Sequence, residues 1–142
     1  MKTTEKSINQ IITALFGLEA KKCYRTYFEY GNGLFQIKIF KHETEKVVYE
    51  KTINVAEERK ELKKVLRHII AMRFGVMKFH YQCYKQKFVK GITCGEWEKT
   101  NFIIKYGKKA TAEKSENGLF INDFENDLLY FVDFREKIEM GK

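Results

Sequence analysis

Two stretches of alternating apolar residues flank the tripeptide Gly31-Asn32-Gly33. Every second position on one face is aromatic, aliphatic or Thr: positions 24, 26, 28 and 30 before the tripeptide, and 35, 37 and 39 after it. Side chains alternate between the two faces of a strand, and Asn-Gly between such runs is typical of a tight hairpin turn. The pattern therefore predicts a β-hairpin, and the run from Val47 to Ile53 predicts a third strand that completes a meander.

An amphipathic helix is predicted on each side of this meander. Over residues 5–20 the apolar residues recur at helical spacing: Ile8, Ile11, Ile12, Leu15 and Phe16. Asn54 is the predicted N-cap of the second helix, and Glu57 is placed to complete a capping box. The predicted buried stripe of that helix is Leu62, Val65, Leu66, Ile69, Ile70 and Met72.

The second half of the chain leaves two assignments open. Gly75 predicts the end of the second helix, and the alternation after it favours a strand over residues 76–87, although a helix continuing to about Lys87 also fits. Residues 100–106 are predicted to be a strand and residues 107–117 a loop. Asn122 is expected to cap a final helix over residues 123–138, with a strand at residues 128–132 as the alternative.

These elements predict one α+β domain over residues 1–142. Its expected order is an N-terminal helix, a three-strand meander, an amphipathic helix, further strands of an antiparallel sheet and a C-terminal helix. A chain of 142 residues that is 44% hydrophobic can bury a core of its own. Proline is absent, so a Pro-rich linker is excluded.

The sequence predicts a cytoplasmic protein that does not enter a membrane. The apolar run from Ile8 to Leu18 is interrupted by Asn9, Gln10 and Thr13, which is typical of an amphipathic helix and not of a signal peptide. No apolar run approaches the length that spans a bilayer. The three cysteines lack paired metal-type spacing and suit reduced thiols.

Positive charge is concentrated in the middle of the chain. The net charge is +8, and residues 55–90 alone carry ten basic and three acidic residues. From Leu62 to Lys90 there are eight basic residues and no acidic one, whereas residues 118–142 carry three basic and six acidic residues. Such a cationic segment attracts polyanions, and its aromatic residues could stack on exposed bases.

We expect this basic segment to bind nucleic acid or another acidic partner. The candidate contacts are Lys60, Lys63, Lys64, Arg67, Arg73, Lys78, His80, Tyr84, Lys85, Lys87 and Lys90. Among them Lys60, Lys64 and Arg67 fall within about 60° of one another on a helix, at about 100° per residue.

Catalytic and metal-binding patterns are weak. Cys94, with His68 or His80 as its base, is a possible nucleophile. Asp123 and Asp127 would share a helix face and could hold a divalent cation. His80, Cys83 and Cys94 could supply zinc ligands, with Cys23 or His68 as the fourth, but only His80 and Cys83 are closely spaced. We expect no catalytic residue, no metal and no cofactor.

The sequence thus favours a non-enzymatic protein that binds nucleic acid. The alternative is a small accessory protein of a phage or mobile element that inhibits a host nucleoprotein complex, as anti-CRISPR proteins do. An enzyme centred on Cys94 or on Asp123 and Asp127 is the third possibility.

Overall fold

The computed structural model describes residues 2–73, 79–100 and 109–139. In chain order the elements are α1 (Lys2–Ala20), β1 (Tyr24–Gly31), β2 (Leu34–Lys41), β3 (Val47–Asn54), α2 (Arg59–Arg73), β4 (Phe79–Val89), β5 (Ile92–Thr100), β6 (Ala110–Lys114), β7 (Gly118–Asp123) and β8 (Leu128–Glu139). The predicted α+β class with an antiparallel sheet is therefore confirmed.

The eight strands form one antiparallel sheet in the order β3-β2-β1-β6-β7-β8-β4-β5. Two meanders, β1–β3 and β6–β8, meet where β1 pairs with β6, and this register contains only two residue pairs, Glu29 with Thr111 and Tyr30 with Ala110. Helix α1 packs against β1, β7 and α2, and α2 also contacts β3. We call the sheet face that carries the helices the inner face and the opposite face the outer face.

The hydrophobic core lies between the two helices and the inner face. Strand alternation places one set of β-residues there, and these side chains are almost fully buried: Phe28, Tyr30, Phe35, Ile37, Ile39, Ile53, Leu119, Ile121 and Val132. All five apolar residues predicted for the buried side of α1 are 3% exposed or less. The helical spacing of Ile8 to Phe16 and the alternation around Gly31 thus placed the core correctly.

Two hairpins in the sheet use the same two-residue turn. Asn32 and Gly33 both have positive φ between the paired residues Gly31 and Leu34, as predicted. Lys90 and Gly91 do the same between Val89 and Ile92. Two successive positive φ angles give the turn a twist that matches the right-handed twist of the strands.

Helix α2 starts later than its predicted cap. The backbone N–H groups of Glu57 and Glu58 donate to the carbonyl of Asn54 in a turn, and regular helix begins at Arg59. The Glu58 carboxylate, not that of Glu57, accepts the Asn54 N–H. In the predicted buried stripe, Leu62, Val65 and Ile69 are buried, whereas Ile70 is 40% exposed.

Residues 79–87 form part of β4, which confirms the strand interpretation for that range and contradicts a continuous helix. Residues 76–78 and the predicted strand residues 101–106 lie outside the described residues. The predicted loop over residues 107–117 is wrong in its centre, where residues 110–114 form β6.

The predicted C-terminal helix is also wrong. Residues 118–123 and 128–139 form β7 and β8, so the alternative strand at residues 128–132 is the correct one. Asp123 ends β7, and its carboxylate accepts hydrogen bonds from the backbone N–H and side-chain amide of Asn126. These bonds stabilise a turn, and Asp127 follows with a φ of 52°. Strand β8 then pairs with both β7 and β4.

A buried carboxyl group lies at the C-terminal end of α1. Glu19 is 2% exposed, and its Oε2 accepts hydrogen bonds from the backbone N–H and the hydroxyl of Thr26. Among the described residues its Oε1 has no hydrogen-bond partner. Burial raises the pKa of Glu19 above its ordinary value of 4.5, and this effect outweighs the hydrogen bonds from Thr26 and the charges of Lys114 and Arg25.

Glu19→Gln should stabilise the protein at neutral pH. A carboxyl whose pKa is raised on folding contributes stability at low pH and loses that contribution as the pH rises through the folded pKa. The neutral amide removes the cost of a buried charge. Urea midpoints should therefore be higher for Glu19→Gln than for the parent at pH 7, with the difference shrinking toward pH 4. The exposed control Glu43→Gln should show no such trend, and a variant less stable at every pH would contradict the prediction.

Within the described part of the chain, neither helix is long and apolar enough to cross a membrane.

Candidate nucleic-acid interface

The outward side of α2 is a continuous cationic surface. Lys60, Lys63, Lys64 and Arg67 are all exposed, and we call these four residues the α2 basic face. At about 100° per residue they lie within an arc of about 100°, and at 1.5 Å per residue they span about 10 Å along the helix axis. Burial of Leu62, Val65 and Ile69 against α1 and the sheet fixes this orientation of the helix.

The α2 basic face is only weakly neutralised by nearby acids. Lys64 Nζ lies 3.3 Å from Glu61 Oε1, and Lys51 of β3 lies 3.4 Å from the other oxygen of Glu61. The hydrogen bond from Lys64, together with that from Lys51, lowers the pKa of Glu61, which therefore stays ionised at neutral pH. Among the described residues, no ion pair involves Lys60, Lys63 or Arg67.

A second group of candidate residues lies on the β4–β5 hairpin. Strand alternation from the buried Cys83 places Lys85 and Lys87 on the inner face, and Lys90 lies in the turn. Lys85 is directly opposite Glu98 of β5, which offsets part of its charge. We call Lys85, Lys87 and Lys90 the hairpin cations.

The remaining candidates do not join these two groups in a single surface. Tyr84 points to the outer face, away from Lys85 and Lys87, and its hydroxyl donates a 2.6 Å hydrogen bond to Glu136. That bond to a carboxylate raises the pKa of Tyr84 to about 12. Arg73 is the last residue of α2, and His80 lies in β4. The structure does not describe their side chains or any part of Lys78.

The structure therefore divides the predicted basic segment. Helix α2 packs near β3, the first strand of the sheet order, while β4 is the seventh. Cations that are close in the sequence therefore form two separate groups, because α2 packs near one edge of the sheet and β4 lies near the other. The α2 basic face is the more concentrated of the two.

Among the described side chains, His68 and Cys94 of the alternative catalytic and zinc sites are not brought together. His68 stacks on Tyr49 of β3, with ring centroids 4.1 Å apart, whereas Cys94 lies on β5 at the other end of the strand order. Cys94 is exposed and lies on a strand. No group of three or more His, Cys, Asp or Glu side chains suited to a metal ion occurs in residues 2–73, 79–100 and 109–139.

Asp123 and Asp127 do not share a helix face, because no helix forms there. Asp123 is fully buried and bonded to Asn126. Asp133, also near the C-terminus, forms a bidentate pair with Arg135, which lowers the pKa of the Asp133 carboxyl. Asp123 and Asp133 thus have structural partners.

Sequence reasoning missed an aromatic cluster on the outer face. Phe120 of β7 and Phe131 of β8 have ring centroids 4.8 Å apart, and Trp97 of β5 lies 6.5 and 6.4 Å from them. Three strand spacings separate β5 from β7, about 14 Å in a flat sheet. The side chains therefore converge across the outer face, which no helix covers in the described residues.

A bulge in β5 accompanies this convergence. Lys85 pairs with Glu98 and Lys87 with Cys94, so residues 95–97 stand opposite the single residue Gln86. Gly95 supplies a φ of 82° at the bulge, and its carbonyl accepts a hydrogen bond from the Gln86 amide. A bulge bends its strand and re-aims a side chain, here that of Trp97. The sequence signal for this surface was the run of consecutive apolar residues at 128–132. Such a run places apolar side chains on both faces of a strand.

Two clefts formed by described residues open on the outer face. The larger, of about 380 Å³, lies beside the β1–β2 turn and is lined in part by Leu34, Gln36, Lys109 and Phe124. The smaller, of about 240 Å³, lies next to the aromatic cluster. Neither cleft is lined by a residue of the α2 basic face.

Comparison with known proteins gives no relative from which a role could be inferred. No protein-family model matches this chain, no curated protein is similar to it, and no solved structure matches its fold.

Proposed function

We propose that this protein is a non-enzymatic, cytoplasmic nucleic-acid-binding protein that contacts the phosphate backbone through the α2 basic face. The observation that carries this proposal is the exposure of Lys60, Lys63, Lys64 and Arg67 on one side of one helix, where the ion pair of Lys64 with Glu61 is the one that the described residues form with these four side chains. Over about 10 Å of helix axis, duplex DNA carries about six phosphates, so four cations in this length can each meet one.

The proposed binding mode is electrostatic and largely independent of base sequence. Lysine and arginine contacts to phosphates release counterions, which gives affinity without reading base edges. The hairpin cations are a secondary contact region, because Lys87 and Lys90 are exposed but distant in the strand order from α2. Tyr84 is less suited to stack on a base than the sequence predicted, because its hydroxyl is hydrogen-bonded to Glu136.

Salt dependence of binding tests this proposal. Fluorescence anisotropy with labelled duplex and single-stranded DNA and RNA should give dissociation constants that rise steeply with salt. Four phosphate contacts predict a slope of log affinity against log salt of about −3.6 on duplex DNA, and about −2.8 on single strands. Oligonucleotides of equal length and different sequence should bind alike. No measurable binding, or binding that does not change with salt, would refute the proposal.

A second candidate function is the inhibition of a host nucleoprotein complex by a phage- or mobile-element-encoded accessory protein. It is favoured by the apolar surface of the β4–β5 hairpin, where Ile92 is 66%, Trp97 41% and Val89 37% exposed. Val89 and Ile92 are directly opposite each other, whereas Trp97 lies on the other face of the hairpin. Neighbouring exposed apolar side chains such as Val89 and Ile92 often mark protein contacts. This candidate gains support if the protein does not bind naked nucleic acid but is retained by a nucleoprotein complex that survives nuclease treatment.

A further inference from the structure

The smaller outer cleft combines aromatic walls with one carboxylate. It is lined by Phe88, Phe120 and Leu129 on its apolar side and by Thr111, Glu113 and Asn122 on its polar side. Four neighbouring strands, β6, β7, β8 and β4, each contribute to it. It therefore rests on the sheet itself and not on a loop.

Its size suits one side chain better than a whole small molecule. The volume of about 240 Å³ is below the range of about 300–1,000 Å³ that is usual for small-molecule sites. The cleft is also open to solvent on the outer face, which the described helices do not cover. A side chain that projects from another protein could enter it without any rearrangement of the sheet.

The charge of the cleft favours a positively charged side chain as its occupant. Glu113 is exposed, and within the described ranges no ion pair neutralises it. The faces of the Phe88 and Phe120 rings also attract positive charge, because the π-system carries a negative face. An apolar side chain would instead take Glu113, Thr111 and Asn122 partly out of water without replacing their hydrogen bonds.

Arginine fits this combination better than lysine. Its guanidinium is planar, stacks on aromatic rings and donates to a carboxylate in a forked geometry, while its aliphatic stem can cover apolar surface such as Leu129. The lining residues contain no second charged group that would pair with the α-amino and α-carboxylate groups of free arginine. The occupant is therefore an arginine within a polypeptide.

We propose that the cleft formed by Phe88, Phe120, Leu129, Thr111, Glu113 and Asn122 is a docking site for an arginine side chain of a partner protein. This site lies on the opposite face of the sheet from the α2 basic face, and it does not depend on nucleic-acid binding. A protein with both surfaces can hold a polyanion on one side and a basic protein on the other.

Nuclear magnetic resonance titration with blocked amino acids tests this site. Nα-acetyl-arginine amide should produce saturable shifts of the backbone amides of Thr111, Glu113, Asn122 and Leu129. Nα-acetyl-citrulline amide, which has nearly the same shape without the charge, should bind about threefold to fivefold more weakly, as expected for loss of an exposed ion pair. Nα-acetyl-lysine amide should also bind more weakly than the arginine compound.

Two matched variants complete the test. Glu113→Gln should weaken binding of the arginine compound about threefold to fivefold. Glu116→Gln, in the following turn and outside the cleft, should leave binding unchanged. Neutralisation of the α2 basic face should also leave it unchanged, so failure of this site and failure of nucleic-acid binding are separable.

Three results would overturn the assignment. They are the absence of saturable shifts at the cleft, equal binding by Glu113→Gln and the parent protein, and equal or tighter binding of the citrulline or lysine compound. Tighter binding of free L-arginine than of the blocked amide would overturn the assignment to a polypeptide.

Discussion

Replacing Lys60, Lys63, Lys64 and Arg67 together by Gln should reduce affinity for duplex DNA about four-thousandfold at about 0.1 M salt. At a slope of about 0.9 per phosphate contact, each contact contributes about eightfold at about 0.1 M salt, and four contacts multiply. Gln keeps a helix propensity close to those of Lys and Arg. The four side chains are exposed, so the packing of α2 on α1 is unchanged and the loss would report on binding.

A matched control separates local contacts from net charge. Lys21, Lys41, Lys99 and Lys109 are also exposed and lie outside α2, and their replacement by Gln changes the net charge by the same amount. This control should lose at most about tenfold, through the long-range field alone. Anisotropy titrations at one fixed salt concentration measure both variants, and circular dichroism checks that α2 is intact. Equal losses in the two variants would show that net charge, and not the α2 basic face, governs binding.

Gly118→Ala should destabilise the fold by about 2–4 kcal/mol. A Cβ at Gly118 would clash with the carbonyl oxygen of Val132 and lie 2.9 Å from the Phe131 ring. The obstructing oxygen belongs to the backbone of β8, so β7 and β8 must separate where Gly118 pairs with Asp133. Overpacking in a well-packed region costs about 1–3 kcal/mol, and the shift of a paired strand adds to this. For a domain stabilised by about 5–15 kcal/mol, the loss is large.

Gly31→Ala provides the comparison for this variant. A Cβ at Gly31 would meet the Lys109 side chain at 2.9 Å, but that side chain is exposed and can move. The cost at Gly31 should therefore be smaller than at Gly118. Urea denaturation of the two variants measures the difference, and a Gly118→Ala protein as stable as Gly31→Ala would contradict the close approach of β7 to β8.

The first half of the fold was predictable because its signals are local. Asn32 and Gly33 specify the hairpin turn, and the alternating residues around them face a core that two amphipathic helices cover. Each of these patterns lies within a few residues of the element that it predicts. The exposed side of α2 followed from the same helical periodicity.

The second half was misassigned because its pairing is long-range. Residues 123–138 contain apolar residues that fit a helix, but β8 gains partners on both sides, β7 and β4. Phe131, which lies within the predicted helix, packs beside Phe120 and Trp97 on the outer face of the sheet. The sequence of residues 123–138 contains no signal of a partner strand at residues 79–89. Pairing with a distant strand overrides the local preference for a helix.

The candidate site was predictable in part for the same reason. Lys60, Lys63, Lys64 and Arg67 share one helix, so their grouping follows from sequence spacing. Whether Lys85, Lys87 and Lys90 lie near them depends on the path of the chain from α2 to β4, which spacing does not encode. The cleft at Glu113 depends on four strands from different parts of the chain and has no sequence signal of its own.

The junction between β1 and β6 has a consequence for how the chain folds during synthesis. Tyr30 leaves the ribosome about 80 residues before its partner Ala110, an interval of roughly 4–16 s at translation rates of about 5–20 residues per second. Throughout that interval α1, β1, β2, β3 and α2 can assemble, but β1 remains an open edge with unpaired backbone groups. The nascent chain therefore exposes this edge to intermolecular strand pairing during the interval, until β6 arrives and pairs with Glu29 and Tyr30.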